Sequence, residues 1–96
     1  MKIVINGCFG GFGISNEVYE RMGEDWQFNT YDYDSRTNAD LIAVIEDIGS
    51  ERASGVFANL IVVDIPDDAT DWRIEEYDGN ESVWYVLDGK MYEVYQ

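Results

Sequence analysis

The stretch KIVINGCFGGFGIS, residues 2–15, decides how the chain begins to fold. Residues 2–6 form a continuous apolar run that is rich in β-branched side chains, which is typical of a strand buried on both faces and central in a sheet. Four glycines follow between positions 7 and 13, and Ser15 is then placed to cap a helix. The pattern predicts a buried strand, a tight glycine-rich turn and a helix.

Strand, glycines and helix is also the order of a phosphate-binding loop, so both standard templates were compared with the turn. A Walker loop needs a lysine beside the helix start, which is lacking, and a dinucleotide fingerprint read from Gly11 and Gly13 meets Asn16 where a third glycine belongs. Both templates fail. We expect the glycines to form the turn and to let Phe9 and Phe12 fold back onto the core.

Two helices are predicted from capping residues and apolar spacing. The first begins at the Ser15 cap and ends at Gly23; the second begins at a Thr37 cap and ends at Gly49. The apolar face of the second helix consists of Leu41, Val44, Ile45 and Ile48. The segment between the helices has no sustained period and reads as a loop or irregular strand with aromatic anchors at Trp26, Phe28, Tyr31 and Tyr33.

The second half of the chain reads as strands. After a loop at residues 50–55, residues 56–66 predict a long buried strand that Pro66 ends, and residues 72–95 predict a meander of three strands. Asp88 and Gly89 form a two-residue hairpin turn.

A bulge at Glu75 and Glu76 would let Trp72, Ile74 and Tyr77 share one face of the first meander strand. The prediction for the whole chain, residues 1–96, is a single α+β domain with a mixed four- or five-stranded sheet, two helices and a C-terminal antiparallel meander.

The composition is strongly acidic. Six Lys and Arg stand against twenty Asp and Glu, which gives a net charge of -14, and apolar residues still make up 46% of the chain. Such a protein is repelled by nucleic acid and by anionic membranes and is attracted to basic surfaces. We therefore expect a basic protein partner, with no direct nucleic-acid or membrane binding.

Few residues are suited to catalysis or to metal binding. The chain has no histidine, and Cys8 beside Phe9 is expected to be a small buried apolar residue rather than a nucleophile. Asp32 and Asp34 begin like a calcium-binding loop, but the next positions do not fit one. We expect no enzyme activity, no cofactor and no metal site. A lone cysteine and a broken apolar N-terminal run indicate the cytoplasm.

Acidic residues concentrate between positions 64 and 81. This acidic segment contains one base, Arg73, and eight acids, which are the candidate partner-binding residues: Asp64, Asp67, Asp68, Asp71, Glu75, Glu76, Asp78 and Glu81. Over a half-interface of about 800 Å² they give roughly one net charge per 115 Å², close to roughly one per 110 Å² for duplex DNA. The density suffices for nucleic-acid mimicry if these residues share a face. Aromatic residues at positions 77, 84, 85, 92 and 95 lie in the same meander and suit a protein interface.

Two motifs, KIVINGCFGGFG at the start and WRIEEYDGNE at residues 72–81, resemble a group of small bacteriophage and prophage proteins that share a KIVIN-x-C-F-G-G-F-G opening. The resemblance supplies a context and no site residues. Small, acidic, nonenzymatic phage proteins are often inhibitors of host defence, anti-CRISPR proteins among them.

Charge and resemblance together lead us to expect an acidic inhibitor that mimics nucleic acid and occupies the basic DNA- or RNA-binding site of a host protein, such as a CRISPR effector, in the host cytoplasm. One alternative is a small protein that binds a nucleotide or another phosphorylated metabolite at the glycine-rich turn. Another is a phage structural or assembly component.

Overall fold

The computed structural model describes residues 1–30 and 32–94, so the predictions made for Tyr31 and Tyr95 lie outside the described residues. Nine helices and strands fall within the described ranges. In chain order they are β1 (Lys2–Asn6), α1 (Asn16–Met22), α2 (Tyr33–Arg36), α3 (Ala39–Ile48), α4 (Ser50–Ala53), β2 (Leu60–Asp64), β3 (Asp71–Tyr77), β4 (Asn80–Leu87) and β5 (Lys90–Val94).

Strand β1 is buried on both faces, as its apolar run predicts. It pairs antiparallel with β2, from Lys2 opposite Asp64 to Asn6 opposite Leu60. Val4 faces a core formed with the helices, whereas Ile3 and Ile5 face a second core formed with the meander. The two-stranded sheet therefore lies between a helical layer and a three-stranded antiparallel sheet with the strand order β3-β4-β5.

The first helix is capped as predicted, because the backbone N–H of Val18 donates to the Ser15 hydroxyl at 3.3 Å and Gly23 follows the last turn. The predicted cap of the next long helix is wrong. Asn38, not Thr37, caps α3, with its amide oxygen 3.0 Å from the backbone nitrogen of Leu41. Thr37 instead ends the short helix α2, since its hydroxyl donates to the carbonyl of Tyr33.

Two loop predictions also need correction. Residues 50–53 form a helical turn, α4, rather than a loop. The predicted strand over residues 56–66 shortens to β2, because the residues before Leu60 pack against the glycine-rich turn instead of entering the sheet. One of these contacts is the hydrogen bond from the backbone N–H of Gly55 to the carbonyl of Gly13 at 2.9 Å.

The predicted bulge in the meander is absent, since β3 pairs with β4 in unbroken register from Asp71 opposite Val86 to Tyr77 opposite Asn80. Residues then alternate between the two faces, so Trp72 and Ile74 face the core while Tyr77 faces away from it. The hairpin turn at Asp88 and Gly89 is confirmed, with φ of 52° and 76°. Asp78 and Gly79, with φ of 54° and 87°, form a second turn of the same kind.

The α+β class and the C-terminal antiparallel meander are confirmed. The strands nevertheless divide between two sheets, and every pair among the described residues is antiparallel, so no single mixed sheet forms. No third strand of the described chain joins the β1–β2 sheet because the free edge of β1 is already occupied. Arg36 and Glu81 occupy that edge through hydrogen bonds to the backbone of Val4 and Asn6, where a third strand would otherwise pair.

Candidate protein-binding surface

Seven of the eight candidate acids are exposed, and one is not. Glu81 is 6% exposed and makes a two-point ion pair with Arg36, in which both nitrogen-to-oxygen distances are 2.8 Å. It also accepts a hydrogen bond from the backbone N–H of Asn6 at 2.8 Å. Its charge is therefore neutralised inside the protein, and Glu81 stands apart from the surface acids.

Asp64, Asp67 and Asp68 lie on the surface at the end of β2 and in the turn that follows. The amino group of Met1 is 3.0 Å from Asp64 and 2.5 Å from Asp67. The hydrogen bond from the amino group to Asp67, together with the attraction between their charges, holds the pKa of Asp67 below its ordinary value. The carboxylates of Asp67 and Asp64 in turn raise the pKa of the amino group. These three acids form an acidic corner, in which Asp68 lies nearest in sequence to the start of the meander.

The outer face of the meander is the side that points away from the second core. Alternation along the paired strands places acidic, aromatic and other apolar side chains on this face. It consists of Asp71, Arg73, Glu75, Tyr77, Asn80, Ser82, Trp84, Val86, Met91 and Glu93. The structure therefore brings Asp71 and Glu75 of the candidate set onto one sheet face together with two large aromatic rings.

Charges on this face are partly compensated. Glu75 lies 2.8 Å from Arg73, and both side chains are about half exposed, so the pair is screened by solvent. Glu93 accepts a hydrogen bond from the hydroxyl of Ser82 at 3.0 Å. A shallow groove of about 350 Å³ is lined by these acids and by Tyr77 and Trp84.

The remaining two candidates lie at the β3–β4 turn. Asp78 is exposed within the turn, and the carboxylate of Glu76 accepts a hydrogen bond from the backbone N–H of Gly79 at 2.5 Å. Glu76 faces the side opposite Glu75, because neighbouring residues of a strand alternate. The acids therefore line the edge strand β3 from end to end, over about 20 Å, rather than forming one compact cluster.

Asn6 organises the glycine-rich turn, and the sequence patterns missed it. Its side chain is fully buried and donates to the carbonyls of Cys8 at 2.8 Å and Gly79 at 2.6 Å. It accepts from the backbone N–H of Asn59 at 2.8 Å. The sequence signal for this role is a polar residue at the end of an apolar strand, just before several glycines. One side chain thus ties together three loops that are far apart in the sequence.

The prediction that Phe9 and Phe12 both pack on the core is confirmed for Phe12 only. Phe12 packs on the first core, with its ring 4.8 Å from that of Phe28 and beneath the Arg36 guanidinium. Phe9 is 65% exposed, so the prediction that it folds onto the core is wrong. Its ring contacts that of Tyr77 edge to face at 6.5 Å, outside the core.

The glycines allow three backbones to approach one another closely. A side chain at Gly10 would place its Cβ 1.7 Å from the carbonyl oxygen of Phe57, and one at Gly79 would place it 2.5 Å from the nitrogen of Gly11. Cys8 is half-buried, and its thiol lies 3.2 Å from the Phe57 carbonyl. The turn is therefore packed against two other loops.

A cleft of about 560 Å³ opens beside the glycine-rich turn. Arg36 is the one cation among the residues that line it, and its guanidinium is bound to Glu81, while Glu76 adds a second carboxylate to the wall. Phe12 and Tyr33 supply apolar surface. The electrostatics of this cleft disfavour a phosphate.

The described residues contain neither a metal-binding cluster nor a membrane-spanning helix. Residues 1–30 and 32–94 contain no group of three cysteine or carboxylate side chains arranged to hold a metal ion. Within the same part of the chain, no helix has the length and apolar character needed to cross a bilayer.

Comparisons with protein-family models, with curated proteins and with solved structures give no match to this chain.

Proposed function

We propose that this protein is a phage-encoded inhibitor, without catalytic activity, that binds the nucleic-acid site of a basic host defence protein in the host cytoplasm. The supporting observation is the outer face of the meander, where acids lie on the same side of the sheet as Tyr77 and Trp84 and away from the second core. Aromatic residues are enriched in protein interfaces, whereas a merely soluble surface needs only charge, and the acids add complementarity to a basic partner.

The charge density supports partial mimicry of DNA. With Glu81 neutralised by Arg36, the acidic segment retains seven exposed acids and Arg73. If all of these shared one half-interface of about 800 Å², they would give roughly one net charge per 130 Å², compared with roughly one per 110 Å² for duplex DNA. Glu76, on the side opposite Glu75, and the acids at the end of β2 lie off the outer face, so the density on that face is lower than in DNA. The amino group of Met1 reduces the density further at the Asp64 corner. Charge therefore attracts and orients the partner, and aromatic contacts add affinity.

The test begins with a tagged copy of the protein and a host lysate. The captured protein is identified by mass spectrometry and purified, and its binding is then measured against salt and against competing DNA. A nucleic-acid mimic predicts a dissociation constant that rises steeply with salt and DNA that competes for the same site. Binding that is indifferent to salt would contradict the proposal.

Two variants with the same change in net charge provide the control. The test variant carries Asp67→Asn, Asp68→Asn, Asp71→Asn and Glu75→Gln. The control carries Glu20→Gln, Glu24→Gln, Asp25→Asn and Asp40→Asn, four exposed acids outside the acidic segment. We expect the test variant to weaken binding at least about tenfold more than the control. Equal losses would show that only total charge matters.

The metabolite-binding alternative predicts stabilisation by a small anion, which thermal shift with a panel of nucleotides measures. The packed turn and the negative cleft make the inhibitor the better-supported reading.

A further inference from the structure

Three large aromatic side chains project from the loops that Asn6 ties together. Phe9 is 65% exposed, Phe57 is 76% exposed and Tyr77 is 78% exposed. We call these three residues the aromatic tip. Each ring has about 150 to 250 Å² of surface, so the tip exposes roughly 400 Å² of aromatic area. That is within the size range in which exposed apolar patches on monomeric proteins often serve binding.

The aromatic tip is held in place by buried interactions rather than by flexible loops. Asn6 bonds to the backbone beside Phe9, to the turn that follows Tyr77 and to the loop that follows Phe57. The backbones of Gly10 and Phe57 are too close to admit a side chain at Gly10. Side chains carried on backbone held in this way require little loop ordering on binding, and preorganisation of this kind favours affinity.

Acids lie next to Tyr77 and indicate the chemistry of the occupant. Glu75, Glu76 and Asp78 flank Tyr77 in the sequence, and the whole chain carries a net charge of -14. A second copy of the chain would bring like charges together, which is unfavourable. A surface that combines lysines or arginines with an apolar pocket is complementary to both features.

We infer that the aromatic tip is the affinity-determining anchor of the protein and inserts into an apolar pocket bordered by basic residues on the partner. This inference rests on the proposed function and deepens it: the acids steer the two proteins together, and Phe9 and Phe57 supply the contacts that slow dissociation. The partner site is therefore a basic groove with an apolar pocket beside it, not a uniformly basic track.

Two synthetic peptides of about 16 residues and equal charge test this. One consists of lysines and leucines, with the leucines spaced at i, i+3, i+4 and i+7 so that it forms a basic amphipathic helix, and the other has serine in place of leucine. In roughly 0.3 M NaCl, where exposed charges are screened, we expect the wild type to bind the lysine–leucine peptide about tenfold more tightly than the lysine–serine peptide.

The preference should disappear in the double variant Phe9→Ser/Phe57→Ser and persist in the control Tyr19→Ser, which removes another exposed aromatic side chain, 41% exposed, on α1 and away from the meander. Circular dichroism and thermal melting establish that each variant is folded. Equal affinity of the wild type for both peptides, or a preference that survives in the double variant, would overturn the inference.

The lysine–serine peptide separates this inference from the proposed function. If at low salt the wild type binds neither peptide, the acidic surface itself has failed. If it binds both equally, the aromatic tip alone has failed. Sedimentation of the wild type supplies a further check, because a dimer that dissociates in Phe9→Ser/Phe57→Ser would show that the tip binds a second copy and would also overturn the inference.

Discussion

Replacing Glu81 by alanine is expected to cost this protein much of its stability. The side chains of Arg36 and Glu81 are 2% and 7% exposed, so removal of the carboxylate leaves a buried guanidinium without its counterion. Breaking a buried pair in this way costs about 3 to 5 kcal/mol. The backbone N–H of Asn6 also loses its acceptor, and a buried unsatisfied amide costs about 1 to 3 kcal/mol. The two costs overlap, so we expect a loss of about 4 kcal/mol.

This loss is large beside the total stability of about 5 to 15 kcal/mol that is usual for a domain. For a chain of 96 residues it corresponds to a fall in the melting temperature of roughly 15 °C or more. Urea unfolding followed by tryptophan fluorescence measures the free energy of unfolding directly. Glu81→Gln is expected to cost less, because the amide oxygen still accepts from Asn6.

The matched control is Glu75→Ala. Glu75 also pairs with an arginine at 2.8 Å, but its side chain is 49% exposed and Arg73 is 58% exposed, so the cost should stay below about 1 kcal/mol. The double variant Arg36→Met/Glu81→Met should recover part of the loss, since no unpaired buried charge remains. If Glu81→Ala destabilises the protein no more than Glu75→Ala does, the pair is not buried as described and the reasoning is refuted.

Three further predictions concern the loops and the acidic corner. Asn6→Ala removes three hydrogen bonds of a buried side chain and should lower the free energy of unfolding by about 2 to 4 kcal/mol, with faster hydrogen exchange in the joined loops; unchanged exchange would contradict its role. Gly10→Ala should destabilise the folded protein, because its Cβ would lie 1.7 Å from the carbonyl oxygen of Phe57. The control Gly13→Ala, whose Cβ would lie 3.7 Å from its nearest neighbour, should be neutral or stabilise the fold by about 0.4 to 1 kcal/mol. Similar melting temperatures for the two variants would refute the close approach at Gly10. The carboxyl pKa of Asp67, measured by NMR titration, should lie below the ordinary aspartate value; its ion pair therefore stabilises the fold above that ordinary value, and this small contribution is lost as the pH falls through the lowered pKa.

Several elements of the fold were predictable because their signals are local. Continuous β-branched residues, a serine before a helical pattern and a glycine after it each determine a structure within a few residues of themselves. Strand β1, the Ser15 cap and the turn at Asp88 and Gly89 were identified in this way. The α3 cap was misplaced by one residue because Thr37 and Asn38 are adjacent and both are capping residues.

The errors at Glu81 and Phe9 have a different cause, which is contact between distant parts of the chain. Nothing near Arg36 or Glu81 in the sequence indicates that these residues, 45 positions apart, meet at the edge of β1. A glutamate inside a run of acids gives the same signal whether it is buried or exposed. Likewise, the exposure of Phe9 depends on Phe57 and Tyr77, which reach it only through tertiary structure.

The way in which the free edge of β1 is closed has a consequence for solubility. An uncovered edge on so apolar a strand would offer its backbone to another chain, and such edges seed aggregation. Here a single arginine, Arg36, donates to the carbonyl of Val4, and a single glutamate, Glu81, accepts from the backbone N–H of Asn6. The net charge of the chain is therefore not its only protection against aggregation, because one of its few cations, held out of water at position 36, blocks the strand edge along which copies could pair.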